Sequence, residues 1–586
     1  MEPSIHDLAK EWLKLDQDDR TREEMENLVT ENNTDELEKR LRNRIAFGTA
    51  GLRARMGAGF SRMNSLTVIQ TSQGLAEYLL ATVPRTKNRG IVIGFDGRHN
   101  SKRFAKLTAA AFIAKDIKVW WYQVPVHTPL VSFGVMELRA VAGVMITASH
   151  NPPQDNGYKV YWERGVQIIP PHDTGIAKSI LQNLEPVSWD RHAVDNCLLV
   201  ESVLNYVQEK YITAVRVAAD PLDELKINSN SQIDFSYTAM HGVGLRFMTA
   251  AVQALGVESH MKPVQEQAHP DPDFPGLPFP NPEEKGALDM AIWSADRHKT
   301  SFILATDPDA DRLAVAEKVD GIGWHIFTGN ELGAILASYI YERYSGHKPE
   351  LAMIASTVSS KMLSVMAERE GFHFSETLTG FKWMGNKALS LDAEGYDSRF
   401  AFEEAIGYMI PGVCKDKDGV AAAAVFLCAA AWWRATKRLT PYAQLQHLFQ
   451  KYGYFEESNT YYISPSPTMT KDIFNSIRAL GNPFPSKLGS RKVTYWRDLT
   501  KGWDSSTPDH KPLLPADPSS QMITFETEGS VRMTIRASGT EPKIKMYLEC
   551  HSNHQETARK IVAEVHKAVV EEWLKPEENS LKAPGV

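Results

Sequence analysis

At 586 residues, the chain is too long for one hydrophobic core and calls for about three to five domains of ordinary size. Apolar residues make up 43% and charged residues 23%, the mix of a soluble globular protein rather than a disordered or membrane-embedded one. With a net charge of −7 and no long basic run, nucleic acid is not the expected partner; four cysteines (Cys197, Cys414, Cys428, Cys550) without a CxxC pair point to a reducing compartment, by default the cytoplasm, and to no structural zinc.

The start, MEPSIHDLAKEWLKLDQDD, is acidic and amphipathic, unlike a secretory signal. Helical periodicity and dense charge up to about Arg44 predict a helical arm packed on the first domain. Next comes Phe47-Gly48-Thr49-Ala50-Gly51-Leu52-Arg53, whose glycines allow close backbone approach and whose Arg53 can meet an anion; a tight turn with a surface arginine is the plainer reading. From Gly90 strands and helices alternate through GIVIGFD, RFAKLTAAAFIAKD, KVWWYQ, a helix near 130–138 and AVAGVMI. Such a β-α-β-α-β unit implies a largely parallel sheet with helices on both faces. Sheets of this kind collect ligands at the C-terminal ends of their strands, and Ser149 in ITASHNPPQDNGYKVY falls at one. Ser-His-Asn-Pro alone is also an ordinary turn signal. Lys159 on the returning strand and His150 beside the serine are candidates to move protons or meet phosphate charge, against the plain alternatives of a solvated lysine and a loop histidine.

A second α/β unit is expected from about Asp220. It holds the strand DFSYTAM, an HGVG turn read as a strand-to-helix connector, and a proline-rich stretch, HPDPDFPGLPFPNPEEKG, read as a surface loop supporting domain packing. The run SFILA leads into Thr306-Asp307-Pro308-Asp309-Ala310-Asp311-Arg312. Alternation turns Asp307, Asp309 and Asp311 to one side, where they would repel unless a cation lay among them. An EF-hand would need glycine and glutamate where Arg312 and Lys318 stand, and a haloacid-dehalogenase-type loop would want threonine or valine where Asp311 stands. A divalent site remains, Mg²⁺ foremost because all its ligands are oxygens, with coordination left open for a phosphate; a solvated acidic turn is the alternative.

A third α/β unit starts near Gly329. It carries Thr379-Gly380-Phe381-Lys382 and Phe402-Glu403-Glu404-Ala405-Ile406-Gly407, whose adjacent glutamates suit recognition of vicinal hydroxyls. Lys415-Asp416-Lys417-Asp418-Gly419 precedes an Ala-rich apolar run at 420–433, shorter than the ~18 residues of a membrane span and read as a buried helix. From about Lys451, alternating strands SVRMTIRAS and KIKMYLEC and an amphipathic helix at 554–574 suggest a small antiparallel α+β domain. Between those strands, Arg536-Ala537-Ser538-Gly539-Thr540-Glu541-Pro542-Lys543 offers an arginine, two hydroxyls, a lysine and a glycine turn, a good cradle for a phosphate dianion.

TASHNP with its Gly-Tyr-Lys, then Asp-x-Asp-x-Asp-Arg, then Arg-x-Ser-Gly-Thr, in that order, resemble the α-D-phosphohexomutase superfamily, and within it the phosphoglucomutase-2 type, the phosphopentomutases of eukaryotes. The likeness runs from about Ala46 to the helix before the C-terminus. It implies a four-domain α/β architecture, three doubly wound α/β domains plus a C-terminal α+β domain around a central cleft, expected here at 1–218, 219–328, 329–450 and 451–586. It also implies an isomerase in which phosphorylated Ser149 hands its phosphoryl group to a sugar monophosphate and recovers one from the resulting bisphosphate. On that footing Ser149, Asp307, Asp309 and Asp311 hold Mg²⁺, Arg53 and Arg312 lie near the serine, and His150, Lys159 and Lys417 are general acid/base candidates. Thr379, Gly380, Lys382, Glu403 and Glu404 would hold the sugar, while Arg536, Ser538, Gly539, Thr540 and Lys543 grip the phosphate that is not reacting. A sugar bisphosphate, ribose 1,5- or glucose 1,6-bisphosphate, is the implied activator. Partners are small sugar phosphates, not nucleic acid or membrane, and the chain is expected as a monomer or weak homodimer. Classical phosphoglucomutases carry Glu-Glu-Ser or Glu-Met-Ser in the sugar loop, whereas Ala405 takes the serine's place. One polar contact is thereby missing, which tilts the expectation toward ribose and deoxyribose phosphates with some phosphoglucomutase activity. The alternatives are a phosphoglucomutase, a glucose 1,6-bisphosphate synthase on the same scaffold, or a metal-dependent phosphomonoesterase that releases inorganic phosphate.

Overall fold

The computed structural model describes residues 3–48, 51–225, 233–538 and 542–583, which fall into two units: Met1–Ala355 with Gly380–Tyr442, and Ser356–Thr379 with Ala443–Val586. In the first unit the chain opens with helices Ile5–Leu15, Asp19–Thr30 and Thr34–Leu41, whose first turns are capped by the side chains of Ser4, Asp18 and Asn33. Trp12, fully buried, meets Phe60 edge-on at 5.2 Å, and losing a ring of that size from a core costs about 3–5 kcal/mol. The arm is thus fastened to the body behind it.

The first sheet runs in the order Leu52–Arg55, Asp155–Tyr161, Ala142–Ile146, Ile91–Phe95, Val119–Trp121, Val200–Ser202. Its last four strands are parallel, and the first two are antiparallel. Ile91–Phe95 and Ala142–Ile146 are buried along their whole length, as apolar runs without alternation must be when helices cover both faces. The second sheet (Gly323–Ile326, Ala314–Val319, Phe302–Ala305, Phe235–Thr238, Met261–Pro263) is also mixed, with a parallel half and an antiparallel half. In the third, Asp397–Glu403 pairs in parallel with Leu351–Ser356 and antiparallel with Gly407–Met409. Helix Gly419–Lys437 is capped by Asp418, which accepts from the amides of Val420 and Ala421, and it lies mostly buried in the first unit, which accounts for its apolar composition.

The second unit is built on an antiparallel sheet ordered Tyr454–Ile463, Lys543–Ser552, Val531–Ala537, Met522–Thr527, Arg491–Asp498, Lys487–Leu488. Helices Pro467–Ala479 and Gln555–Ala568 supply Ile473, Phe474, Val562 and Val565 to a core that also holds Trp496, Phe525 and Met533. The segment Ser356–Thr379 is tied in by a carboxylate. Glu376 accepts from Thr357 Oγ1 at 2.6 Å and Arg497 Nη2 at 2.8 Å, and pairs with Lys361 and, at 3.4 Å, with Arg532. Burial would raise Glu376, but Lys361, Arg532 and Arg497 outweigh it and hold the carboxyl well below its usual range.

A carboxylate depressed by folding contributes stability that is present above its unfolded value, near 4.3, and is lost as pH falls through the folded value. We predict that Glu376→Gln, which leaves three cations facing one another, lowers the opening free energy of the second unit at pH 7 by about 3 kcal/mol. It should also flatten the loss of protection seen when pH drops below about 4. Hydrogen exchange at strand Val531–Ala537 reads both effects.

Candidate active site

Strand Ala142–Ile146 passes through Thr147 and Ala148 to Ser149, which is 2% exposed and has φ +55°. A left-handed backbone costs a residue with a Cβ about 1–2 kcal/mol, so the surroundings must hold it there. The Ser149 amide donates to Thr147 Oγ1 at 2.8 Å, and Asn151 N closes a turn onto Ala148 O at 3.1 Å. The Ser149 hydroxyl donates to Asp307 Oδ2 at 2.9 Å, and His150 Nδ1 lies 3.4 Å from Ser149 Oγ. Burial, then Arg312 and Arg53, push His150 well below the usual imidazole range.

Asp307, Asp309 and Asp311 are each fully buried, and one oxygen from each lies within 4.8 Å of the others. The backbone of the loop is held from three directions. Asp307 Oδ1 accepts from the amides of Asp311 at 3.1 Å and Arg312 at 3.0 Å. Val243 N, in the HGVG turn, donates to Pro308 O at 2.9 Å, and a Cβ on Gly242 would stand 2.3 Å from Pro308 Cα. On the other side Gly419 N donates to Ala310 O, and a Cβ there would stand 2.2 Å from Arg312 O. Only glycine permits those two approaches, so the HGVG turn serves as a buttress of the acidic loop as well as a connector.

Two ammonium groups meet the acids. Lys159 Nζ donates to Asp309 Oδ2 at 2.7 Å and to Asp311 Oδ2 at 2.9 Å, while Lys417 Nζ lies 2.8 Å from Asp311 Oδ2. Burial opposes the charge on Lys417, but Asp311 and Asp416 outweigh it and keep the amine protonated. Burial likewise opposes charge on Asp309, and Lys159 and Lys417 overcome it, holding that carboxyl far below its usual range. Asp307 goes the other way, raised by burial and then by Asp311 and Asp309. Asp309 Oδ1 and Asp311 Oδ1 are buried with no partner among the described residues, and unpaired buried carboxylate oxygens next to a third acid suit a hard dication.

The sugar loop is stitched to the same place by backbone: Leu313 N donates to Ile406 O at 3.1 Å, and Arg312 bridges to Gly407. Gly380, at φ +104°, donates its amide to Glu403. Burial and then Glu404 push the Glu403 carboxyl up to about 7. Arg53 is solvent-exposed and donates to Asn151 Oδ1 at 3.1 Å, and Arg312 lies 3.5 Å from Glu283. The first unit therefore gathers Ser149, His150, Arg53, Lys159, the three aspartates, Arg312, Lys417 and Glu403. Gly380, Lys382 and Glu404 belong to that unit as well, whereas Thr379, Arg536, Ser538 and Lys543 belong to the second. There Arg536 Nη2 reaches Tyr547 OH at 3.2 Å, Lys543 stands 4.7 Å from the Tyr461 ring, and Ser538 N donates to Lys543 O. Gly539 and Thr540 lie outside the described residues.

One neighbour escaped the sequence reading. Thr128, at the start of helix Thr128–Glu137, donates its hydroxyl to Asp309 Oδ2 at 2.5 Å and its amide to Asp309 O at 2.9 Å. A hydroxyl before proline at a helix start looks like a routine cap, and nothing local says that its partner lies 181 residues away.

Four family models match the chain in succession: phosphoglucomutase/phosphomannomutase alpha/beta/alpha domains I, II and III at residues 44–186, 209–321 and 328–452, and the C-terminal domain at 509–568. A phosphoribomutase of Saccharomyces cerevisiae is 47% identical, the alignment covering 97% of this chain and 96% of the relative. A glucose 1,6-bisphosphate synthase of Homo sapiens is 41% identical over 99% and 96%. Among solved structures, the open form of parafusin, a phosphoglucomutase of Paramecium, superposes with a TM-score of 0.69 at 19% identity, covering 92% of this chain and 96% of that one; at that identity it speaks to the fold.

If the three aspartates seat a divalent cation, Thr128→Val should lower their affinity for one about tenfold, the usual scale for a group that orients a metal ligand, and Thr128→Ser should restore it. Calorimetric titration of Mg²⁺ into each variant checks both.

Proposed function

The chain belongs to the phosphoglucomutase/phosphomannomutase family and is an isomerase of that kind; from this premise we propose that it interconverts ribose 1-phosphate and ribose 5-phosphate, deoxyribose phosphates included, with weaker action on glucose 1- and 6-phosphates. The observation that carries the reading is the Ser149 hydroxyl, 2.9 Å from Asp307 inside a cluster of three buried acids. The pentose preference is supported by 47% identity to a phosphoribomutase over nearly the whole chain and by Ala405, which offers a sugar hydroxyl no hydrogen bond where hexose enzymes have serine.

In the working cycle phosphorylated Ser149 gives up its phosphoryl group. The serine O–P bond breaks, a bond from phosphorus to a sugar hydroxyl oxygen forms, and the proton lost by that hydroxyl ends on the freed serine oxygen; in the return step the serine oxygen takes the other phosphoryl group of the bisphosphate and its proton passes to the sugar oxygen released. His150, 3.4 Å from the serine oxygen, is the group we assign to relay that proton, one ring nitrogen giving a proton as the other takes one, so that the imidazole need not hold a charge. Lys159 and Lys417 stay paired to the acids and supply fixed positive charge, and Arg53 and Arg312 flank the serine. Asp307, Asp309, Asp311 and the Ser149 oxygen would hold Mg²⁺, which when bound neutralises charge on the transferred group. Glu403 and Glu404, with Thr379, Gly380 and Lys382, hold the ring; Arg536, Ser538, Gly539, Thr540 and Lys543 grip the idle phosphate. A ribose 1,5- or glucose 1,6-bisphosphate primes the serine. Four cysteines, all free, support placement in the cytoplasm, and we expect a monomer or weak homodimer.

A second reading, a glucose 1,6-bisphosphate synthase, is favoured by the 41% identity to such an enzyme. Turnover separates the two: kcat/KM for ribose 5-phosphate should exceed that for glucose 6-phosphate by about tenfold, the scale of one hydrogen bond in discrimination. A preference for glucose phosphates overturns the pentose claim. Ala405→Ser should narrow the gap by raising glucose phosphate turnover. Chelation should abolish isomerisation and Mg²⁺ restore it, and intact mass should show phosphate on Ser149 after treatment with a sugar bisphosphate.

A further inference from the structure

Beneath the serine loop lies Arg98, which follows strand Ile91–Phe95 in the run Asp96-Gly97-Arg98 and is 4% exposed. Its guanidinium collects four backbone carbonyls of one loop. Nη2 donates to Ser149 O at 2.5 Å and Asn151 O at 2.6 Å, and Nη1 to Pro152 O at 2.9 Å and Asp155 O at 3.3 Å. Nε stands 3.3 Å from Asp96 Oδ2, and Asp96 Oδ1 is in turn anchored by Ser101 Oγ at 2.6 Å and Arg98 N at 3.0 Å. The guanidinium carbon lies over the ring of Phe274, 4.8 Å from its centroid. Phe274, 3% exposed, belongs to the proline-rich stretch expected to be a surface packing loop. Pro270 of the same stretch sits so close to Gly97 that a Cβ there would stand 2.7 Å from Pro270 Cβ.

A planar fork with fixed donor directions can hold several carbonyls in one geometry, and an aromatic ring packed over it limits how far the fork can swing. The charge-assisted bonds run to the residue in the left-handed conformation and to three that follow it, so they oppose relaxation of that backbone and with it rotation of the Ser149 side chain away from Asp307. Arg98 reaches only the backbone of this loop, so its effect on the chemistry is indirect. We propose that Arg98, capped by Phe274, is a positioning residue for phosphoryl transfer at Ser149. The proline-rich loop thereby has a task in the site as well as in packing. This inference rests on the reading of Ser149 as the phosphoryl carrier.

The test compares the full-length protein with Arg98→Lys, which keeps the charge and loses the fork, and with Phe274→Leu, which keeps an apolar filler and loses the ring. Mutase kinetics and the rate at which Ser149 is phosphorylated by ribose 1,5-bisphosphate, followed by intact mass, are read together. Arg98→Lys should lower kcat about 100-fold, the penalty of an ångström-scale misplacement, with KM within about twofold of the wild type and the phosphorylation rate falling in parallel. Phe274→Leu should lower kcat about fivefold with KM unchanged. A wild-type kcat and phosphorylation rate in Arg98→Lys overturns the proposal, as does a loss that appears in KM while phosphorylation is unaffected. Should Arg98→Lys fail to fold, Phe274→Leu decides in the same terms. Active wild-type protein whose Ser149 never carries phosphate overturns the phosphoserine reading and the proposal with it; phosphorylated wild type beside unaffected variants overturns the positioning role alone.

Discussion

Three carboxylates closed off from water within reach of one another repel, at about 4 kcal/mol for each pair 4 Å apart under an effective dielectric of about 20, and the first unit is arranged around keeping them together. The means come from separate parts of the chain. Strand Asp155–Tyr161 sends Lys159 and helix Thr128–Glu137 sends Thr128 to Asp309, and the segment before the long buried helix sends Lys417 to Asp311. The acidic loop folds its own amides onto Asp307. Two ammonium groups do not equal three acids, and the opposed shifts of Asp307 and Asp309 express that imbalance. The same imbalance is what makes the cluster an attractive seat for a dication that could share a phosphoryl group with Ser149.

Rigidity is bought by close backbone approach. Gly242 and Gly419 let two neighbouring segments press against the acidic loop until no side chain fits between, and amide-to-carbonyl bonds tie that loop to the HGVG turn, to the sugar loop and to the start of the buried helix. Ser149 is held in a conformation it would not choose alone, so its hydroxyl points at Asp307 before any substrate arrives. Preorganisation of this kind removes from the reaction the cost of orienting the serine and its surroundings. The second unit is put together differently, around an antiparallel sheet with an aromatic core and a carboxylate, Glu376, that binds the segment Ser356–Thr379 to it through Arg497 and Arg532 while pairing with Lys361 of its own segment.

What the sequence by itself determined was the chemistry at each locus. Apolar runs without alternation called for buried strands, and the residues just after them, Ser149 and Asp307, sit where such strands end, because side-chain period and strand length are local properties. The alternation of Asp307, Asp309 and Asp311 announced a cluster, and the order of the motifs announced the family. The antiparallel strands in the first three sheets were not announced, since strand direction depends on which distant segment pairs with which. Tertiary structure alone decided the joins: that Thr128 belongs to Asp309, that Arg98 underlies the serine loop, that a loop of prolines supplies the ring over that arginine, and that Lys417 is paired with Asp311. Each join links residues far apart along the chain, and the charge state or rotamer it imposes arises only when packing has excluded water from between them, so no window of sequence contains it.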